Sequence, residues 1–246
     1  MTPEEYQQYV RQINDFLADQ DKVKEQYRLK GVQTYNESLD FFGNDIMQPL
    51  TLCDSTILFL IFSFAEKHSA KNKKQIQKMQ LVTAYLQGID ISTNLILEGN
   101  YIKASATLKQ DFETIVRLNE VHTNRAKNGK TPNAQNGPVT YKEMYGYLND
   151  IAHISKDSIL NFVLKHESEN SKGVSPVKKF NKIIAHRLMT YNTAVKVEMF
   201  RQCLNLYLDL AGQDKIHEQS LVYYNVVMDI YSRIGMLSHD NNQNGS

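Results

Sequence analysis

Only two cysteines occur in the 246 residues, Cys53 and Cys203, far apart and without CxxC spacing. That excludes a disulfide framework and gives no zinc-ligand pattern, so a reducing, cytoplasmic setting is expected. Proline is scarce at five residues and glycine at eleven, which leaves few points where regular structure must stop. An excess of one charge is missing too, because 28 basic and 27 acidic side chains leave a formal net charge of +1. The basic excess of a dedicated nucleic-acid binder is therefore absent, while a local patch stays open. The most apolar run, "ILFLIFSFA" at 57–65, follows Asp54 and has about half the length a spanning helix needs. It is read as a buried helix. The N-terminal "MTPEEYQQYV" is acidic and polar, where an export signal needs positive charge and then an apolar stretch. Neither export nor a membrane contact is expected. No Gly-rich phosphate loop, HExxH or GxSxG occurs, which disfavours the common ATPases, zincins and serine hydrolases. Neither a metal nor a cofactor is implied.

What is present is helical periodicity. A chain that is 41% hydrophobic and 22% charged can bury a sizeable core. Its apolar residues recur at three- and four-residue steps with almost no strict alternation. The fold class is all-α, a bundle of long antiparallel helices in one domain over 1–237. A helical extension can occupy 1–43, and a disordered tail fills 238–246. "TPEE" opens the first helix, with Thr2 as cap, Pro3 at the first helical position and Glu5 completing a capping box. Tyr6, Val10, Ile13 and Leu17 form its predicted buried stripe. Further helices are predicted at about 21–39, 45–68, 73–98, 100–127, from the "YGYLNDIAHIS" region to about 165, 176–210 and 214–237. The predicted stripe of the 73–98 helix is Ile76, Met79, Val82, Leu86 and Ile89; that of the 100–127 helix is Ala104, Leu108, Phe112, Ile115 and Leu118. In "LEGNYIKA", Gly99 suits a left-handed helix end and Asn100 the next cap. "NGKTPNAQNGP" and "ESENSKGVSP" read as polar loops, and "AGQD" as the last turn.

Three constellations carry candidate chemistry. On a helical wheel Asp150, His153 and Asp157 fall within about 60° of one another, with Glu143 and Tyr147 on the same side. Asn149 and Asp150 also stand beside the histidine. Met144, Leu148 and Ile151 occupy the inward arc. A carboxylate one turn from an imidazole can fix its tautomer and make it a better base; equally, such a histidine can simply order a helix end. Lys109, Glu113 and Arg117 follow at four-residue steps, either as a solvated ladder worth a few tenths of a kcal/mol per pair or as a set facing His153 across a cleft. Arg117 and His122 match an Arg-x4-His pattern, but five residues of helix separate them by about 140°. The lysines at 67, 71, 73, 74 and 78 have no interleaved aromatics and read as a solvated helix start.

"LILEGNYIKASATLKQDFETIVRL" followed by "YGYLNDIAHIS", over about 95–157, resembles a group of uncharacterised bacterial helical proteins placed near the HEPN and abortive-infection proteins. In those proteins a G-x-x-x-A-x-x-x-x-R-x-x-x-E helix precedes a Y-x-x-L-S-x-x-x-H helix. By position the resemblance sets the arginine on Lys109, the glutamate on Glu113, the tyrosine on Tyr145 or Tyr147 and the histidine on His153. Asn149 stands where serine is usual, and lysine for arginine removes a bidentate fork. The resemblance implies a bundle that can homodimerise. It acts as an interaction module toward protein or RNA, or as a metal-independent endoribonuclease using His153 or His122 with Lys109 or Arg117. Tyr147, Asn149 and Asp150 would then line the substrate. A helical-repeat scaffold built on "LEGNYIKASA" is a third reading.

Overall fold

A computed structural model describes residues 2–65, 69–137, 142–153, 157–168, 171–174, 177–211, 218–233 and 235. The chain is mostly helical. Its elements are α1 (Pro3–Ala65), α2 (Lys73–Leu86), α3 (Ile91–Leu97), α4 (Tyr101–His122), a 3-10 turn (Ala134–Asn136), α5 (Lys142–Ala152), α6 (Asp157–Leu164), α7 (Lys182–Ala211) and α8 (Glu218–Arg233). A short antiparallel hairpin, β1 (Lys165–Ser168) with β2 (Ser171–Val174), pairs Lys165 with Val174 and Ser168 with Ser171. It replaces the polar loop expected there; a stretch that polar has no apolar pattern to announce a strand. The predicted 238–246 tail and most of the "AGQD" turn lie outside the described residues.

Helix α1 begins as its sequence dictates. The Glu5 N–H donates to Thr2 Oγ1 at 3.2 Å, and the Thr2 N–H donates to Glu5 Oε2 at 2.6 Å. The break expected near residue 40 is one residue, Gly43, at φ 62° and ψ −178°, a conformation that a side chain would make costly. No break occurs at Asp21, since that segment has neither Gly nor Pro to stop a helix. After Gly43 the helix carries Leu50, Cys53, Ile57 and Leu60 into the core. By length and composition alone, α1 holds a stretch apolar enough to cross a bilayer; those four residues bury one face of it within the protein.

The first thirty residues do the opposite. Residues 2–30 are all exposed, and the stripe predicted to be buried lies open, with Tyr6 60% exposed and Phe16 62%. Amphipathic spacing specifies which face is apolar, and among the described residues no element covers it.

The core forms around α7, which packs on α1, α2, α3 and α4, while α8 lies on α1 and α5 on α4. Along α7, Leu188, Met189, Val195, Met199, Cys203 and Leu206 are fully buried. The predicted inward residues of α4, Ala104, Leu108, Phe112, Ile115 and Leu118, are all buried, as are Met144, Leu148 and Ile151 on α5. The 73–98 helix is instead two helices, joined by a turn at 87–90. The buried residues of α2 are Lys78, Val82 and Tyr85, those of α3 are Ser92, Thr93, Ile96 and Leu97, and Ile76 is 46% exposed. Val82 is buried and Met79, Leu86 and Ile89 pack against the core as predicted, and Lys78 is buried beside them, reaching Asp209 at 2.5 Å. Helix α4 ends at His122 rather than 127, and α7 starts at Lys182 rather than 176.

Gly99 fits the role that the sequence assigned it. At φ 72° it places its own N–H on the Ile96 carbonyl at 3.0 Å and that of Asn100 on the Leu95 carbonyl at 2.8 Å, the paired bonds of a Schellman end. Asn100 does not cap α4 with its side chain, which donates to Glu98 at 2.9 Å. A Cβ on Gly99 would lie 2.9 Å from both the Lys179 carbonyl oxygen and the Thr34 methyl. Gly99→Ala is therefore expected to cost about 1–3 kcal/mol, read as a lower urea midpoint at unchanged m-value.

Candidate functional site

Helix α4 contributes Lys109 and Glu113, one turn apart; α5 contributes Tyr145, and the turn residue just past its end is His153. Packing of α5 on α4 through Met144 and Leu148 brings the pairs together. Lys109 Nζ lies 2.8 Å from His153 Nε2 and 4.0 Å from Glu113 Oε1, and Tyr145 donates to the same Glu113 oxygen at 3.0 Å. The ammonium is also 5.7 Å from the centre of the Tyr145 ring. Lys109 Nζ and His153 Nε2 are within hydrogen-bond distance, their donor and acceptor roles following the imidazole tautomer. Burial, and then the Glu113 carboxylate, raise the Tyr145 phenol above its ordinary range, keeping it a donor. The four groups make a continuous chain, imidazole to ammonium to carboxylate to phenol, and His153 is exposed at its outer end.

Comparison with family models, with curated proteins and with solved structures finds no match.

The remaining candidates separate. Arg117 leaves the ladder, pairing with Glu120 at 2.8 Å and donating to the carbonyls of Lys127 and Lys130. Glu120 also accepts from the Asn133 N–H and the Asn136 amide, each at 2.9 Å, so Arg117 and Glu120 pin the loop after α4. His122 turns the other way: its Nδ1 lies 3.2 Å from Lys78 Nζ, and its carbonyl accepts from Lys74. Neither residue joins His153, and the two point to different places, as the 140° between them requires. The expected polar face of α5 splits likewise. Tyr147 lies on the opposite flank from Tyr145, edge-on to Tyr191 at 5.8 Å and beneath the Arg187 guanidinium at 4.8 Å. Asn149 and Asp150 are half-buried, and the Asn149 carbonyl accepts the His153 N–H at 3.0 Å.

A polar centre that sequence reasoning missed lies inside the bundle. Lys196 on α7, 1% exposed, donates to Asp54 of α1 at 2.5 Å and to the Ile89 carbonyl at 2.6 Å. Nearby, Asp111 of α4 accepts from Ser92 of α3 at 2.9 Å. Burial pushes the Asp111 carboxyl up to about 6, with Ser92 and Lys196 opposing, and raises Asp54 in the same way. The one available signal was a lysine amid the apolar "TAVKVEMF" of 193–200. Burial likewise pushes the Cys53 thiol up to about 12 and Cys203 higher still, so neither is a nucleophile at neutral pH. Among the described residues no group of three or more His, Cys, Asp or Glu could hold a metal.

A cavity of about 270 Å³ opens between the arm at Tyr27, the Gly99–Lys103 turn, the end of α6 and residues 177–179. Lys109 and His153 do not border it. Of its four lysines, Lys178 is held by Glu98 at 2.7 Å.

Proposed function

We propose that this chain is a cytoplasmic, HEPN-like helical module that contacts RNA through the α4–α5 face. One observation carries the reading: Lys109 and His153, 44 residues apart in sequence, meet at 2.8 Å at the surface, where an ammonium and an imidazole can both receive a phosphate. Tyr147, with Arg187 over its ring, supplies on the other flank of α5 the kind of aromatic surface on which a base stacks. The side chains of α1 buried from Leu50 to Leu60 support a water-soluble reading over a membrane span. A repeat scaffold is disfavoured because α7 touches four other helices, whereas a repeat touches only its neighbours.

The test is fluorescence anisotropy of a labelled single-stranded RNA at about 50 mM salt. Lys109→Ala is expected to weaken binding roughly tenfold and to lower the salt slope by about one. His153→Ala weakens it less. No binding by the wild type, or binding indifferent to both changes, rejects the reading and turns the search to a protein partner.

The exposure of His153 beside Lys109 favours one second reading, metal-independent endoribonuclease action. There His153 removes the 2′-hydroxyl proton and the 2′-oxygen attacks the adjacent phosphorus. The P–O5′ bond breaks, and the leaving 5′-oxygen takes a proton from water, leaving a 2′,3′-cyclic phosphate and a 5′-hydroxyl. Lys109 would neutralise the phosphorane oxygens. Cleavage of an RNA pool in EDTA that is lost in folded His153→Ala, and kept in Arg117→Ala and His122→Ala, is the expected signature. Retention of cleavage in His153→Ala removes it.

A further inference from the structure

The cavity of about 270 Å³ beside Tyr27 has no part in the α4–α5 site, since neither Lys109 nor His153 borders it. Separate stretches of chain wall it, and they are tied to one another. Thr34 on α1 donates to the Lys178 carbonyl at 3.1 Å, and the Asn181 N–H donates to the Tyr101 hydroxyl of α4 at 2.8 Å. The Lys178 ammonium donates to Glu98 at 2.7 Å. The space is therefore held open before anything enters it, as ligand sites usually are.

Its lining is of two kinds. The charged side chains are Lys103, Lys165, Lys178 and Lys179, and among the described residues no carboxylate lines it. Ammonium groups donate and cannot accept, so the head that they select carries acceptor oxygens and negative charge, as a carboxylate or a phosphate monoester does. A sugar-like ligand, whose hydroxyls also donate, meets no carboxylate here to receive them. The start of α4 adds to the lysines without making the site by itself: Asn100 turns its side chain to Glu98 and gives no cap, so the positive end of the helix dipole faces the same space.

The rest of the wall is apolar. Ile102 and Leu164 are half-buried without joining the core, beside Val163 and Val177, and the Tyr27 ring closes the side toward α1. A methylene takes up roughly the 30 Å³ of a water molecule, so the cavity has room for an unbranched body of about eight to ten carbons. We propose that it binds a free amphiphilic anion. The carboxylate or phosphate head lies among Lys103, Lys165 and Lys179, and the aliphatic body lies along Ile102, Leu164 and Val177.

Isothermal titration of the full chain with decanoate and with decyl phosphate tests this, and saturable one-to-one binding is expected. Octanoate, with two fewer methylenes to bury, is expected to bind about tenfold more weakly than decanoate. Decanol, which lacks the charge, is expected to bind at least about tenfold more weakly, and inorganic phosphate, which lacks the body, to give no measurable heat. Lys103→Glu with Lys179→Glu is expected to weaken decanoate binding by at least about tenfold at an unchanged urea midpoint, because both side chains are exposed. Ile102→Trp fills the space and is expected to abolish binding. An amphiphile also adheres to exposed apolar side chains, so Phe16→Asp, on the open stripe of α1, is the control and is expected to bind as the wild type does. No binding of either anion, equal binding of decanol, or binding that is lost in Phe16→Asp and kept in the double-lysine variant each overturns the proposal. Binding to phosphatidylglycerol vesicles without binding to either free anion also overturns it, and assigns the lysines to a lipid surface.

Discussion

Replacing Lys196 by alanine is expected to lower the unfolding free energy by about 3–5 kcal/mol, enough to drop Tm by roughly 10 °C in a chain of this size. The ammonium sits 1% exposed between Asp54 at 2.5 Å and the Ile89 carbonyl at 2.6 Å. Truncation leaves a carboxylate and a carbonyl turned toward an emptied, low-dielectric space. Part of the loss is recovered at low pH, because Asp54, already raised by burial, protonates instead of remaining an unpaired anion. The deficit is thus expected to be larger at pH 7.5 than at pH 4.5. Lys196→Met combined with Asp54→Leu removes both charges together and is expected to return to within about 1–2 kcal/mol of the wild type. Urea midpoints of the three proteins at the two pH values check this. A single variant as stable as the wild type would mean that water enters the centre and solvates Asp54.

This centre was invisible in the sequence for a physical reason. A lysine flanked by Val195 and Val197 is ordinary in an amphipathic helix, and its burial depends on α7 being surrounded by four helices. Only the packing reveals that. On α4 and α5 periodicity alone picks the buried residues, and every predicted inward residue of both is buried, although α4 too packs on four helices. In the 73–98 stretch the stripe holds apart from Ile76, with the buried Lys78 added beside it. Where no described element covers the stripe, as for residues 3–30, it lies open to solvent.

The candidate site was legible in part by the same rule. Four-residue spacing puts Lys109, Glu113 and Arg117 on one face, yet only the first two join His153, while Arg117 turns to a loop and His122 to α2. What spacing could not supply was the rotation of α5. Tyr145, Asn149 and His153 follow at four-residue steps, and it is Tyr145 and His153 that meet α4, whereas Tyr147 turns to α7. The wheel grouped His153 with Asp150 and Tyr147 because it carried no information on which flank the neighbour would occupy.

Replacing Asp111 by asparagine is expected to stabilise the protein by on the order of 2 kcal/mol at pH 7.5 and to have almost no effect near pH 4. The Asp111 carboxyl is half-buried and accepts from Ser92 at 2.9 Å, with Lys196 near enough to favour its charged form. Burial nonetheless wins and lifts it from its ordinary 3.8 to about 6. A raised carboxyl means that between pH 4 and 6 the folded chain holds a proton that the unfolded chain has lost. Stability therefore falls as pH rises through this window, and the full penalty stands above pH 6. Asparagine keeps an acceptor for Ser92 and carries no charge to desolvate, so the penalty disappears. Asp54 is raised for the same reason and tilts the wild-type curve in the same direction. The decisive quantity is thus the difference between the two proteins' urea-derived stabilities at each pH. A difference that closes as pH falls from 6 to 4 assigns the titration to Asp111. An Asp111→Asn protein that is weaker at pH 7.5 would instead mean that the buried ammonium of Lys196 needs two carboxylates, and that the centre is an ion triad shared by α1, α4 and α7.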